Sequence, residues 1–532
     1  MRRFIVASLG LAFLLGGMGP GMAQVFNEQA LKLNKVIGLI ESYYVDSVNQ
    51  KKLVEKAIVN VLKDLDPHSV YIPAEEVKEM NDPLMGNFEG IGIQFNVLYD
   101  TVLVISPVSG GPSEKAGILA GDRIIRINGE NVAATGITTK KVQDRLMGPK
   151  GSKVTVTIRR KGVKEDLDFV ITRDKIPIYS LDAAYMVDTG IGYIKLNKFS
   201  FSTVSEVNDA LRNLRKQGMQ DLILDLRGNG GGYMEVAVNL LDKFFTENKL
   251  VVYMEGEHSP RRDYFTTSNG ELKDTRLVVL MDEGSASASE IVAGAVQDWD
   301  RGVIIGRRSF GKGLVQRPFN LPDGAMIRLT IARYYTPSGR SIQKPYTGGY
   351  DDYFRDLDNR YLNGEMNDAA SIRFPDSLKF NTLVNGRTVY GGGGIMPDIF
   401  VPIDTTGYSD YYRDVIRKGI INNFVLDYVD HHRAAIKDNY GSFNDFRLRY
   451  DADNTLVPQL VDYASKQGLP ENKEQVNLSY HELSLLIKAL IARDIWDTNE
   501  YFEIINQKSP LIEKAVEVLK NVSQYKQALA YN

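Results

Sequence analysis

The chain contains no cysteine in 532 residues. That excludes disulfides, thiol nucleophiles and zinc sites built on Cys. Histidine is scarce, with five residues at His68, His258, His431, His432 and His481. None falls in H-E-x-x-H spacing, so a zinc-protease helix is absent from the sequence. The formal net charge of −3 leaves no basic surplus, which argues against a nucleic-acid partner. After the first residues there is no apolar run of about 18 or more, so no internal membrane span is expected. No metal or other cofactor is expected either.

What is present is ordinary for a globular protein: 43% apolar and 25% charged residues. The length calls for about two to four domains. Arg2 and Arg3 precede an apolar run from Phe4 to Leu15, and small residues follow up to Ala23. This is the layout of a secretory signal segment at residues 1–23, with cleavage after Ala23. The expected location is periplasmic or otherwise extracytoplasmic. If uncleaved, the segment would tie the protein to a membrane.

Three blocks carry chemistry. The first is Leu224-Asp225-Leu226-Arg227-Gly228-Asn229-Gly230-Gly231-Gly232. Its glycines free backbone N–H groups to point at a developing oxyanion. The second runs Ser285-Ala286-Ser287-Ala288-Ser289-Glu290 and continues to Ala295. It follows the buried strand Leu277 to Met281 and opens a helix near Ser287, a junction that exposes a nucleophile. The third is Ser309-Phe310-Gly311-Lys312-Gly313-Leu314-Val315-Gln316. A lysine whose pKa is lowered can take a hydroxyl's proton, and Phe310, Leu314 and Val315 offer an apolar flank for that shift.

In this order and spacing the blocks resemble the C-terminal processing peptidases, or tail-specific proteases, from roughly Leu31 to Pro402. The resemblance implies a Ser/Lys serine protease with Ser287 as nucleophile and Lys312 as general base. It makes Gln316 a third member that holds the lysine, and gives the oxyanion donors to Gly232 and Ala288. Asp298 matches a family position and is read as structural support. Arg227 and Asn229 would brace the glycine loop, and Glu290 would hold the helix start. Ser285 and Ser289 would cap or pack. A Leu65-Asp66-Pro67-His68-Ser69 turn also occurs in the family outside its catalytic set. His68 is therefore read as a hydrogen-bonder fixing that turn rather than as a base.

The implied architecture is a multidomain α/β protein. Residues 24–84 form a helical N-terminal segment. Residues 85–174 resemble a PDZ domain, on the string Asp122-Arg123-Ile124-Ile125-Arg126-Ile127-Asn128-Gly129 and an alternating strand at Val154, Val156 and Ile158. Its Gly90-Ile91-Gly92-Ile93 loop is the candidate nest for a peptide's terminal carboxylate. Residues 175–403 are the protease core of βαβ units, with a polar insertion at 346–386. Residues 404–532 read as a helical domain without recognisable chemistry. The expected partners are proteins with free C-terminal tails, and the chain leaves room for an activating adaptor or a homo-oligomer.

Two rival readings are weaker. Gly306 to Lys312 fits half of a phosphate-binding loop, but Gly313 stands where Ser or Thr is required. The following Leu314-to-Pro318 run reads as a strand stopped by proline instead of a helix. A non-catalytic PDZ scaffold or chaperone would be expected to lack Ser287, Lys312 or the glycines, and all are present.

Overall fold

A computed structural model describes residues 28–267 and 270–530. The signal segment expected at 1–23 lies outside them. The chain divides into two units, Met1–Leu65 and Asp66–Asn532. Within the first, the described residues form two helices, Glu28–Tyr43 and Gln50–Leu65. The helical segment expected at 24–84 therefore crosses the boundary between the units. Val70–Ile72 pairs antiparallel with the long strand Met326–Tyr335, and helix Ala74–Met85 follows it. The turn at 66–69 thus belongs to the larger unit.

The PDZ segment is a sheet ordered Ile93–Leu98, Thr101–Pro107, Arg123–Ile127, Lys153–Arg159 and Leu167–Thr172, with helices Pro112–Ala116 and Thr139–Leu146. Alternation puts Val154, Val156 and Ile158 in one buried core with Val102, Val104 and Ile124. Strand Ile93–Leu98 is an edge, with one side open to a further strand. The sheet meets the C-terminal helices through Arg123 and Asp430, 2.7 Å apart, and through apolar contact of Leu98 and Leu103 with Leu426.

The protease core is a six-stranded sheet in the order Leu181–Asp188, Ile191–Leu196, Asp221–Asp225, Leu277–Met281, Val303–Gly306, Ile399–Phe400. The first pair is antiparallel and the rest are parallel. The central strands are buried along their whole length, as expected of parallel strands covered on both faces. Helix Thr203–Lys216 turns Val207, Ala210, Leu211 and Leu214 to the sheet. A second sheet pairs Met326–Tyr335 with Leu250–Gly256 and with Leu314–Asn320. The latter strand was expected to stop at Pro318, but it runs through it. Leu314–Asn320 is an edge strand, so the missing proline N–H costs no ladder bond.

The segment drawn as one helical domain at 404–532 divides in two. Helices between Asp410 and Ile505 share a core of their own around Val425, Leu460 and Ile487. Helices Pro510–Lys520 and Val522–Ala528 instead put Leu511, Ala515, Val518 and Leu519 against Tyr193, Ile223 and Leu280 of the central sheet. They cover its second face. Helical spacing reveals that these residues are buried but not what they are buried against.

Candidate active site

The strand Leu277–Met281 leads through residues 282–287 into helix Ala288–Asp298. Ser287, at the helix start, has φ 55° and ψ −114°, a backbone geometry that a non-glycine residue adopts only under constraint. The constraint is visible. Ser285 Oγ accepts from the Asp282 N–H at 3.0 Å and donates to the Leu226 carbonyl at 2.8 Å. The Ser289 hydroxyl donates to the Asn229 carbonyl at 2.9 Å. Both flanking serines are buried and committed to the loop.

Asn229 organises the glycine run. Its carbonyl also accepts from the Ala286 N–H, and its Oδ1 accepts from the Gly231 N–H at 2.9 Å. Gly231 has φ 101°, and a Cβ there would meet the Ala286 oxygen, Ser287 Cβ and Ala288 nitrogen at 2.8 to 2.9 Å. Only glycine lets the loop approach so closely. Among the described residues, the N–H groups of Gly232 and Ala288 have no hydrogen-bond acceptor. Arg227 does not brace this loop through its side chain. Its guanidinium clamps the buried Asp225, at 2.6 Å for the shortest contact.

Glu290 does more than hold a helix end. One carboxylate oxygen accepts from the N–H groups of Ser287, at 2.8 Å, and Lys312, at 2.9 Å. The other accepts from the Gly311 N–H, at 2.7 Å, and the Ser309 hydroxyl, at 2.5 Å. Burial pushes its pKa up to about 7. Four donors converge on it, so the geometry selects the ionised, acceptor-only form. The Tyr334 hydroxyl lies 3.1 Å from the Ser287 carbonyl and 2.7 Å from the Lys312 carbonyl. Two side chains thus bring the main chains of Ser287 and Lys312 to the same place.

Lys312 is largely enclosed. Burial pulls its pKa below the ordinary lysine value; Glu290 opposes the shift, Arg328 adds to it and Asp66 opposes it. Leu314 is buried and Val315 packs on the main core, whereas the Phe310 ring faces Lys344 and Tyr353. Gln316 departs from its expected role. A register shift falls between Val315 and Gln316, and the Gln316 amide donates to Thr330 Oγ1 at 3.2 Å. Among the described residues no hydrogen bond joins it to Lys312. The irregularity re-aims the side chain.

Asp298 is fully buried, 2.7 Å from the Arg340 guanidinium, and accepts from the Ser338 N–H at 2.9 Å. These contacts fasten the far end of the helix. The 66–69 turn is fixed by Asp66, which accepts from the N–H groups of His68 and Ser69 at 2.8 and 2.9 Å. Thr330 Oγ1 docks on the same carboxylate at 3.0 Å. The His68 ring is therefore free for another task, and it enters the site. Its Nε2 lies 2.8 Å from the Tyr353 hydroxyl. Burial, and then the Lys312 charge, press its pKa down to about 3.

In the PDZ domain, Gly90, Ile91, Gly92 and Ile93 line a cavity of about 490 Å³ together with Phe95 and Met147. Among the described residues, the N–H groups of Ile91 and Gly92 have no acceptor. Helix Ala74–Met85 borders the same cavity through Glu75, Lys78 and Glu79.

Residues 190–351 match the peptidase family S41 and residues 90–171 a PDZ domain. Residues 20–76 match the N-terminal domain of the activating protease CtpB, and residues 411–497 a family of unknown function. The chain is 39% identical over 321 residues to the carboxy-terminal-processing protease of Bartonella bacilliformis, covering 59% of this chain and 73% of that one. It is 37% identical over 331 residues to the carboxy-terminal processing protease CtpB of Bacillus subtilis, covering 61% and 68%. The solved photosystem II D1 C-terminal processing protease is 30% identical over 59% of this chain and 90% of its own, with a TM-score of 0.34. An S41 core preceded by a PDZ domain defines a serine-type protease. The chain belongs to the C-terminal processing peptidases.

Proposed function

We propose that this protein is an exported endopeptidase that captures unstructured C-terminal tails and cuts them with a Ser287/Lys312 pair. The observation that carries the reading is the shared hold of Glu290 and Tyr334 on the main chains of both residues. Neutral Lys312 takes the Ser287 hydroxyl proton as Oγ attacks the scissile carbonyl. The carbonyl's electron pair moves to its oxygen, which the Gly232 and Ala288 N–H groups stabilise. Collapse expels the amine, which leaves with the proton from Lys312, and an acyl-enzyme on Ser287 remains. Water, deprotonated by the same lysine, adds to the acyl carbon; collapse breaks the bond to Ser287 Oγ, which takes the proton back from Lys312, and the acid leaves. Asp298 and Asn229 support this set, and Gln316 acts one step away, through Thr330 and Asp66.

The PDZ cavity suits a tail added as a strand beside Ile93–Leu98, with its carboxylate at the Ile91 and Gly92 N–H groups. The signal-like residues 1–23 support export to an extracytoplasmic compartment. The test uses dye-labelled casein, an unfolded protein, as substrate. Ser287→Ala and Lys312→Ala should each lower kcat by about three orders of magnitude or more while circular dichroism stays unchanged. Wild-type turnover in either variant would sink the assignment. In the same assay an excess of a short apolar peptide should alter turnover as the free acid and not as the C-terminal amide. Equal effects would reject tail capture.

A further inference from the structure

The insertion read at 346–386 spans the end of the S41 match, at residue 351. It opens with helix Tyr350–Leu362, which folds back on the loop that carries Lys312. The buried Arg360 guanidinium donates to the carbonyls of Ser309, at 3.0 Å, and Arg308, at 2.6 Å. Glu365 braces both arginines, at 2.7 Å from Arg360 and 2.6 Å from Arg308. On the other side of Lys312, the Gly313 N–H donates to Gln343 Oε1 at 2.8 Å. The Gln343 amide reaches the Tyr353 hydroxyl at 3.4 Å, and that hydroxyl meets His68 at 2.8 Å. Tyr353 is 2% exposed. The main chain is therefore gripped on both sides of Lys312 by groups from the insertion or bonded to it.

We propose that the inserted segment, through Arg360 and Tyr353, is a positioning element of the protease, holding the Lys312 loop closed over the site. The inference rests on Lys312 as the base. A charged guanidinium buried to hold two main-chain carbonyls is costly unless its bonds are all made. Here it is spent on the loop beside the base. Tyr353 packs edge-on against His68 and Phe310, and in this proposal that layer is the wall between Lys312 and solvent.

The consequence is a dependence on pH. Lys312 is faced by Glu290 from helix Ala288–Asp298, Arg328 from the long strand, and Asp66 and His68 from the turn. Tyr353 faces the site from the inserted helix, and Lys344 and Asp356 stand behind it. Tyr353→Phe changes none of these charges. If it opens the wall, the ammonium gains water and its pKa climbs back towards about 10.4. The basic form is then scarcer at neutral pH and recovers in alkali.

The experiment uses the full chain, with Tyr353→Phe, Arg360→Met and, as a control, Tyr361→Ala, which alters an exposed residue of the same helix. Two profiles are recorded: kcat/KM on dye-labelled casein against pH, and acetylation of Lys312 by acetic anhydride against pH, read by mass spectrometry. Tyr353→Phe and Arg360→Met should move both limbs upward by about one unit, so that turnover at pH 7 falls roughly tenfold and recovers in alkali. Tyr361→Ala should match wild type. Limbs that stay in place overturn the proposal, and so does a rate loss that is uniform across pH. If Arg360→Met does not fold, Tyr353→Phe, which keeps the ring, decides. Failure of the underlying Ser/Lys reading looks different. In that case wild-type Lys312 acetylates like a surface lysine, or Lys312→Ala still cuts casein.

Discussion

On the serine side of the site, the bonds that shape Ser287 come mostly from two short stretches, 225–232 and 282–290. Asn229, Ser285, Ser289 and Glu290 lie within a few positions of the groups they serve or in the facing glycine run. On the lysine side, the bonds come from afar. Arg360 reaches back 51 and 52 positions to Ser309 and Arg308, and Tyr353 meets a ring 285 positions away. The geometry of Ser287, the proposed nucleophile, is thus a local property of its motif. The surroundings of Lys312, the proposed base, are a tertiary property, assembled from the turn, the long strand and an insertion. The first resists change elsewhere in the chain, and the second is open to it.

Glu290→Gln should have the largest effect, because this residue serves both sides. An amide NH₂ in place of one oxygen would point donors at donors and strand at least one pair of them. The expected loss is roughly 2–5 kcal/mol of stability and at least about 100-fold in turnover. Denaturant unfolding checks it, and a variant within about 1 kcal/mol of wild type would refute the role given to this carboxylate. Gly231→Ala comes next. Its Cβ would press on Ser287 and Ala288 at 2.8 to 2.9 Å, so kcat should fall about 100-fold through the oxyanion donors. The pH limb should not move, because the lysine side is untouched. A displaced limb would mean that the two sides are not separable.

Near neutral pH the smallest effect concerns His68, and it grows only as the solution is acidified. Its pKa is pressed down to about 3 from the usual 6.5. As pH falls below 6.5, the unfolded chain takes up a proton that the native ring refuses until about 3. Stability is therefore lost across that window, by at most about 1.4 kcal/mol per unit. In His68→Asn this contribution is absent, and urea midpoints at pH 6.5, 5.5 and 4.5 should converge with those of wild type. The kcat/KM profile should carry no limb near 6.5. A limb there that vanishes in His68→Asn would make histidine the base.

The same division explains what could be read from sequence. The serine and glycine blocks were legible because their spacing is short and their chemistry contiguous. The PDZ domain was legible from its strand pattern, and the parallel core from buried strands such as Leu222-Ile223-Leu224. Gln316 bonds to Thr330 beside a register shift next to Val315, and no residue type announces such a shift. His68 does join its turn, through its N–H to Asp66, but the turn gives no sign that its ring meets Tyr353. Tyr353 and Arg360 carried no signal at all. An aromatic and an arginine in a polar helix are commonplace, and only the fold brings them to Lys312.

The helices Pro510–Lys520 and Val522–Ala528 add a matter of timing. The Tyr525 hydroxyl lies 3.1 Å from the Leu277 nitrogen, 248 positions earlier. At ribosomal rates of about 5–20 residues per second, the strand that delivers Ser287 precedes this partner by roughly 12 to 50 seconds. During that interval one side of the sheet stays greasy and uncovered. An apolar sheet face left open on a nascent chain is aggregation-prone surface. The sheet whose strand leads to Ser287 is thus completed only when the final helices arrive.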